Sequence, residues 1–172
     1  MNNKIRTEYK QILHKIEDVC KEFDTTKSDN LMKIISMTKL KNLFNCLDYW
    51  DKFEPNADRP YSILNTDRES DPGNGIHWVG CFQDGKVLYI YDSIGRKNIM
   101  NRFCDDMHEL GYRCVYVNKK GDQQNSQINC GLRSLLWLLF VEKYGIKQSN
   151  IINMCAKYVT VLSIKSTIQS MI

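Results

Sequence analysis

The stretch Gly131 to Tyr144 (GLRSLLWLLFVEKY) constrains this chain most. It is apolar on almost every side until its last turn, and Gly145 stops it. A helix that is apolar all round is buried, either in a core or in a bilayer. Its longest unbroken apolar run, Leu135 to Val141, is far too short for a membrane span, which needs roughly 18 residues. What is left is a central helix covered by other elements of the same core. With 172 residues and 42% hydrophobic side chains the chain is long enough to supply that cover as one domain.

The covering elements can be read from periodicity. Residues 1–24 place Ile5, Tyr9, Ile12, Leu13, Ile16, Val19, Cys20 and Phe23 at steps of three and four, an amphipathic helix. Ser28 and Asp29 suit the N-cap of a second helix through Ile35. Leu40, Leu43, Phe44 and Leu47 suggest a further short helix over 38–47, followed by a loop marked by Pro55 and Pro60. From Tyr61 the pattern changes to strands, expected at 61–66, 76–82, 87–91 and 114–117. Asp84-Gly85 between two apolar runs marks a hairpin. Ile99, Phe103, Met107 and Leu110 lie on one face of a helix over 98–110 that Gly111 ends, and 148–172 reads as helical, broken once. The fold class is α+β: a small mixed sheet packed on the central helix, with flanking N- and C-terminal helices. Within a single domain spanning 1–172, residues 1–60 form a helical part, 61–145 the core and 146–172 a C-terminal helical part.

Composition narrows the chemistry. No apolar segment follows the basic start Met1 to Arg6, so a cytosolic setting, or a particle assembled in the cytosol, is expected. Seven cysteines, at 20, 46, 81, 104, 114, 130 and 155, show no paired metal-ligand spacing, which argues against a zinc site and against a disulfide framework. The net charge of +4 is mild and fits solubility better than a dedicated nucleic-acid surface.

Cys130 stands at the start of the central helix, where unpaired backbone N–H groups and the positive end of the helix dipole favour a thiolate. Gly131 lets a ligand approach the backbone closely. Of the three histidines, His77 opens a strand after a glycine-rich loop. A hairpin centred on Asp84-Gly85 sets it opposite Asp92, whose carboxylate would fix the imidazole tautomer and stabilise the imidazolium. Gln123 and Gln124 lie shortly before Cys130, and either could offer an amide N–H to an oxyanion; Gln127 is a weaker third choice.

The order His77-Trp78, Asp92, Gln124, Cys130-Gly131 resembles the adenain-type cysteine proteases, the group of the adenovirus maturation protease and the SUMO-deconjugating proteases. The resemblance rests on YSILNTD (61–67), GIHWVG (75–80), YIYDSIG (89–95) and QNSQINCGL (124–132), and it covers about half the chain. It is greatest to the short versions of adenoviruses, virophages, polinton-type elements and large DNA viruses. The resemblance implies Cys130 as nucleophile, His77 as base and then acid, and Asp92 as its orienting partner. It implies Gln124 with the Cys130 N–H as the oxyanion hole, and Trp78 as a wall of the cleft beside Gly131. The spacing of His77 and Asp92 is slightly shorter than the family's pattern.

The implied function is a cysteine endopeptidase that matures viral capsid or core precursors near small or glycine residues. It would act as a monomer without a membrane, in the virion and the host cytoplasm. The alternatives are an isopeptidase for a ubiquitin-like modifier and a noncatalytic relative that binds capsid protein or DNA. No cofactor is required by the sequence. The resemblance allows an activating peptide, joined through Cys114, and nonspecific DNA contact through Arg96, Lys97, Arg102, Lys119 and Lys120.

Overall fold

The computed structural model describes residues 28–70, 77–118, 121, 123 and 129–149. The expected helix over 1–24 and the segment 150–172 lie outside these residues. The fold is α+β, built on a five-stranded mixed sheet in the spatial order β1-β2-β3-β4-β5. The strands are β1 (Phe44–Tyr49), β2 (Tyr61–Asn65), β3 (Trp78–Asp84), β4 (Val87–Tyr91) and β5 (Arg113–Tyr116). The central strands β2, β3 and β4 pair antiparallel, whereas β1 joins β2 and β5 joins β4 in parallel. The helices are α1 (Ser28–Ser36), α2 (Asn101–Glu109), α3 (Cys130–Tyr144) and the short α4 (Ile146–Ser149).

The sheet separates two apolar layers. On one face α3, with Leu31, Ile34 and Ile35 of α1, packs against Ile63, Trp78 and Tyr91. On the other face Phe103 and Met107 of α2 meet Val79, Cys81, Leu88 and Ile90, together with Trp50 and Phe53. Phe103 makes edge-on ring contacts with Trp50 and Phe53, with centroids 6.1 and 5.5 Å apart. Every α3 residue from Cys130 to Val141 is buried, as an all-round apolar helix requires.

A single glycine admits this helix to the sheet. A Cβ on Gly80 would lie 2.8 Å from Cε3 of Trp137. The Trp137 indole occupies that space and stacks on Tyr91, 5.5 Å between centroids and 12° from parallel. Tyr91 is the cross-strand partner of Gly80, so the slot and the ring beside it are set by one register.

Two expectations need correction. The helix expected over 38–47 is instead a 3₁₀ turn, Lys39–Asn42, followed by β1. The pairing of β1 with β2 is irregular between Phe44 and Cys46. This bulge lets Phe44 and Leu47 share the α3 side while Cys46 faces the other layer. Apolar residues at 43, 44 and 47 therefore imitate helical spacing, and residues 1–60 are not wholly helical. The β3–β4 hairpin is also shifted: Asp84 pairs with Val87, leaving Gly85 and Lys86 as the loop. Gly85 takes a positive φ of 57°, which a glycine adopts without steric cost.

Replacing Gly80 with alanine should lower stability by about 1–3 kcal/mol through overpacking. Chemical denaturation of the two proteins checks this, and an unchanged midpoint would show that Trp137 can move aside freely.

Candidate active site

Strand directions bring the site together. Tyr49, Asn65, Trp78 and Tyr91 end or begin their strands at one end of the sheet, and Tyr116 closes β5 there. His77 immediately precedes β3, Asp92 immediately follows β4, and Cys130 opens α3 on the adjoining layer. His77 Nε2 lies 2.6 Å from Asp92 Oδ1, and both residues are buried. The shifted register does not place these two directly opposite each other. They meet because both lie just past the paired residues, where the side chains can lean together.

Asp92 is held on every side. Its Oδ1 also accepts the Ile94 N–H at 3.0 Å, and Oδ2 accepts the Arg96 N–H at 2.8 Å. Asn118 clamps its main chain: Oδ1 accepts the Asp92 N–H at 3.1 Å, and Nδ2 donates to the Asp92 carbonyl. The Gly95 N–H returns to the same carbonyl at 2.8 Å and closes the turn. Burial opposes ionisation of Asp92, but the bonds from His77, Ile94 and Arg96 outweigh it and hold its pKa below the ordinary value. An ionised carboxylate only accepts, so Nε2 of His77 carries a proton and Nδ1 is the nitrogen left for the thiol.

Cys130 completes the group. Its side chain is hydrogen-bonded to His77 and receives the backbone N–H groups of Trp78 and Gly131. Burial would raise the thiol's pKa; these bonds and the charge of His77 reverse the sign and lower it. For His77 burial pushes down, and the bonds to Asp92 and Cys130 push further up, so the imidazole is more basic than usual. Asn129, at the N-cap of α3, makes no side-chain capping bond. Its first N–H groups therefore face the thiol end of the helix.

The helix is anchored where the chemistry needs it. Ser134, one turn after Cys130, donates from Oγ to the Trp78 carbonyl at 3.1 Å. The buried Arg133 donates from Nε to Asn129 Oδ1 at 2.9 Å and fixes the residue that precedes Cys130. The Thr66 N–H donates to the His77 carbonyl at 3.0 Å and holds His77 from the β2 side.

The structure thus joins His77, Asp92, Cys130 and Gly131. Trp78 adjoins them, with its ring packed in the core beside Cys130 and its main chain bonded to both Cys130 and Ser134. Gln124 and Gln127 lie outside the described residues, as do Lys119 and Lys120. Gln123 is engaged with Ser93, its N–H donating to the Ser93 carbonyl at 2.8 Å and its Oε1 accepting the Ser93 hydroxyl at 2.6 Å. Cys114 sits on β5 in the opposite layer, its thiol hydrogen-bonded to Cys104, which together with burial raises its pKa. Arg96, Lys97 and Arg102 are exposed. Asn118, Asn129, Arg133 and Ser134 were not singled out from the sequence. Ser134 and Arg133 were the legible ones, as polar residues inside an apolar helix one turn from Cys130.

Among the described residues no group of three or more His, Cys, Asp or Glu side chains is arranged to hold a metal ion. No helix among them is long and apolar enough to cross a membrane. The chain matches no family model and no curated protein.

The pKa directions give a pH signature. Cys130, shifted down, keeps its thiolate as pH falls below 9.0, and His77, shifted up, keeps its proton as pH rises above 6.5. Alkylation of Cys130 should therefore begin at lower pH than that of an ordinary thiol. In His77→Ala the curve for Cys130 should move to higher pH. Cys104, whose pKa is lowered mainly by its bond from Cys114, should not move. Mass-spectrometric mapping of a limiting alkylation reads both, and a Cys130 curve indifferent to His77 would refute the coupling.

Proposed function

We propose that this protein is a cysteine endopeptidase of the adenain type that processes viral capsid or core precursors. One observation carries the reading: a buried imidazole bonded on one side to a carboxylate and on the other to a thiol at a helix N-terminus. The physical chemistry of that arrangement is nucleophilic catalysis. A buried thiol with no such partner behaves in the opposite way. Burial is the largest cause that drives Cys81 upward, with the neighbouring Cys104 and Cys46 adding to it, and it is the main cause that takes Cys46 to about 11.

The steps follow from the geometry. The Cys130 thiolate attacks the scissile carbonyl carbon, forming the S–C bond and an oxyanion. The Cys130 N–H and, as the resemblance implies, the Gln124 side chain stabilise that charge. The oxyanion collapses, the C–N bond breaks, and His77 Nδ1 gives its proton to the leaving amine. Water then attacks the thioester, His77 takes its proton, and the thiolate leaves to restore the resting pair. Asp92 keeps the proton on Nε2 throughout and stabilises the imidazolium. Substrates with glycine beside the cut fit the resemblance, since a narrow groove excludes larger side chains.

Cleavage of a capsid or core precursor from the same source tests the reading. Cys130→Ala should abolish cleavage with the fold intact by circular dichroism. Asp92→Asn, which can no longer hold the Nε2 tautomer as an anion, should reduce kcat by roughly 100- to 10,000-fold. Cleavage that survives Cys130→Ala would remove the thiol from the mechanism. A preference for a modifier with a Gly-Gly tail over the precursor would move the protein to the isopeptidases.

A further inference from the structure

A cavity of about 400 Å³ opens at the same end of the sheet as the catalytic group, on the α2 side. Its walls come from the chain just after β2 and from the start of α2, and include Trp50, Thr66, Arg68, Asn101 and Arg102. Both walls are tied to the catalytic residues. Thr66 is the residue whose N–H bonds to the His77 carbonyl. The segment 98–103 follows directly on the turn that Asp92 and Arg96 build.

The chemistry of this cavity is that of a carboxylate receptor. The guanidinium of Arg68 lies over the Trp50 ring, 4.5 Å from its centroid, which fixes its plane. Its Nε is shielded from solvent and has no hydrogen-bond partner among the described residues. Asp106, which is exposed, stands 3.7 Å from Nη2, beyond good hydrogen-bond length. An oriented guanidinium with donors to spare is suited to a planar anion taken in a bidentate manner. Arg102 adds a second positive charge, and Asn101 and Thr66 add neutral polar groups. Asp67 also lines the cavity and offsets part of that charge, which favours a ligand with one negative charge over a polyanion.

We infer that this cavity is a substrate subsite that takes an acidic side chain, aspartate or glutamate, of the polypeptide near the scissile bond. The inference rests on the peptidase reading for its biological role, but the binding it claims can be measured without catalysis. A substrate chain held at Cys130 and His77 would reach the cavity by continuing over the end of the sheet past Thr66, whose N–H bonds to the His77 carbonyl. An acidic residue there would meet Arg68 and Arg102.

The test uses the full chain carrying Cys130→Ala. Ten-residue peptides with a central Gly-Gly, each with one glutamate or its isostere glutamine at a single flanking position, are titrated calorimetrically. At one position the glutamate peptide should bind about tenfold more tightly, the difference expected of a charge-assisted bidentate pair. That preference should fall to about twofold in Arg68→Lys, which keeps the charge and loses the fork, and in Arg102→Ala. Equal affinity for the glutamate and glutamine peptides at every position, or no binding of either at millimolar peptide, would overturn the subsite. So would a preference that survives both arginine variants. The peptidase reading is judged separately, by precursor cleavage in the wild type. Its failure beside a retained glutamate preference would leave an acidic-peptide binding site without proteolysis.

Discussion

The burial of α3 is the constraint on which the rest of the structure depends. A helix with Leu132, Leu135, Leu136, Leu138 and Leu139 on all its sides gains about 1.5–3 kcal/mol for each leucine removed from water. No amphipathic placement could capture that gain, so the helix takes the centre of its layer and the sheet is shaped to receive it. Gly80 opens the slot for Trp137, Tyr91 supplies the stacking surface, and Ser134 ties the first turn to the start of β3. The Cys130 thiol inherits its position from this packing. A helix free to slide along the sheet could not keep Cys130 at hydrogen-bond distance from a histidine on a different element.

Burial also sets the electrical problem that the site has to solve. Three titratable groups, His77, Asp92 and Cys130, are brought into a poorly polar interior where each charge is disfavoured. Each is compensated by hydrogen bonds to its ionised form, and the compensations are linked. The Asp92 carboxylate has main-chain donors of its own and does not depend on His77 alone for its charge. It can then hold the imidazolium, which in turn holds the thiolate. The outermost support in this series is Asn118, which bonds the Asp92 main chain through both its N–H and its carbonyl.

Much of this was legible in the residues, and the misreadings have physical causes. The stretch after Cys130 announced a central helix because it is apolar on almost every side, and the two apolar runs about Asp84-Gly85 announced the hairpin. The pairing of His77 with Asp92 followed from the hairpin even though its register was two residues off in sum. Both groups sit beyond the last paired residues, where a small shift is absorbed by side-chain reach. The strand β1 was hidden by its bulge, which puts Phe44 and Leu47 on one face and so mimics a helix. Asn118 was hidden for a different reason. Its role needs the parallel pairing of β5 with β4, a contact between segments 26 residues apart that leaves no local periodicity.

That parallel pairing explains why Asp92 can be rigid at the end of a short strand. An antiparallel partner would bring its own turn to this end of β4 and compete for the donors around Asp92. A parallel partner instead runs past the same end in the same direction. Val117 extends the pairing by one bond, its N–H donating to the Ile90 carbonyl, and Asn118 arrives level with Asp92. The chain between the two strands is spent on α2, which covers the opposite face with Phe103 and Met107 and contributes Asn101 and Arg102 to the cavity there. One crossover connection therefore does three things: it closes the second core layer, fixes Asp92 from behind, and builds the arginine-bearing wall at the same end of the sheet as His77 and Asp92. A substitution that loosened the β4–β5 pairing would reach all three together, which is why a sheet edge far from the thiol belongs to the physical description of the site.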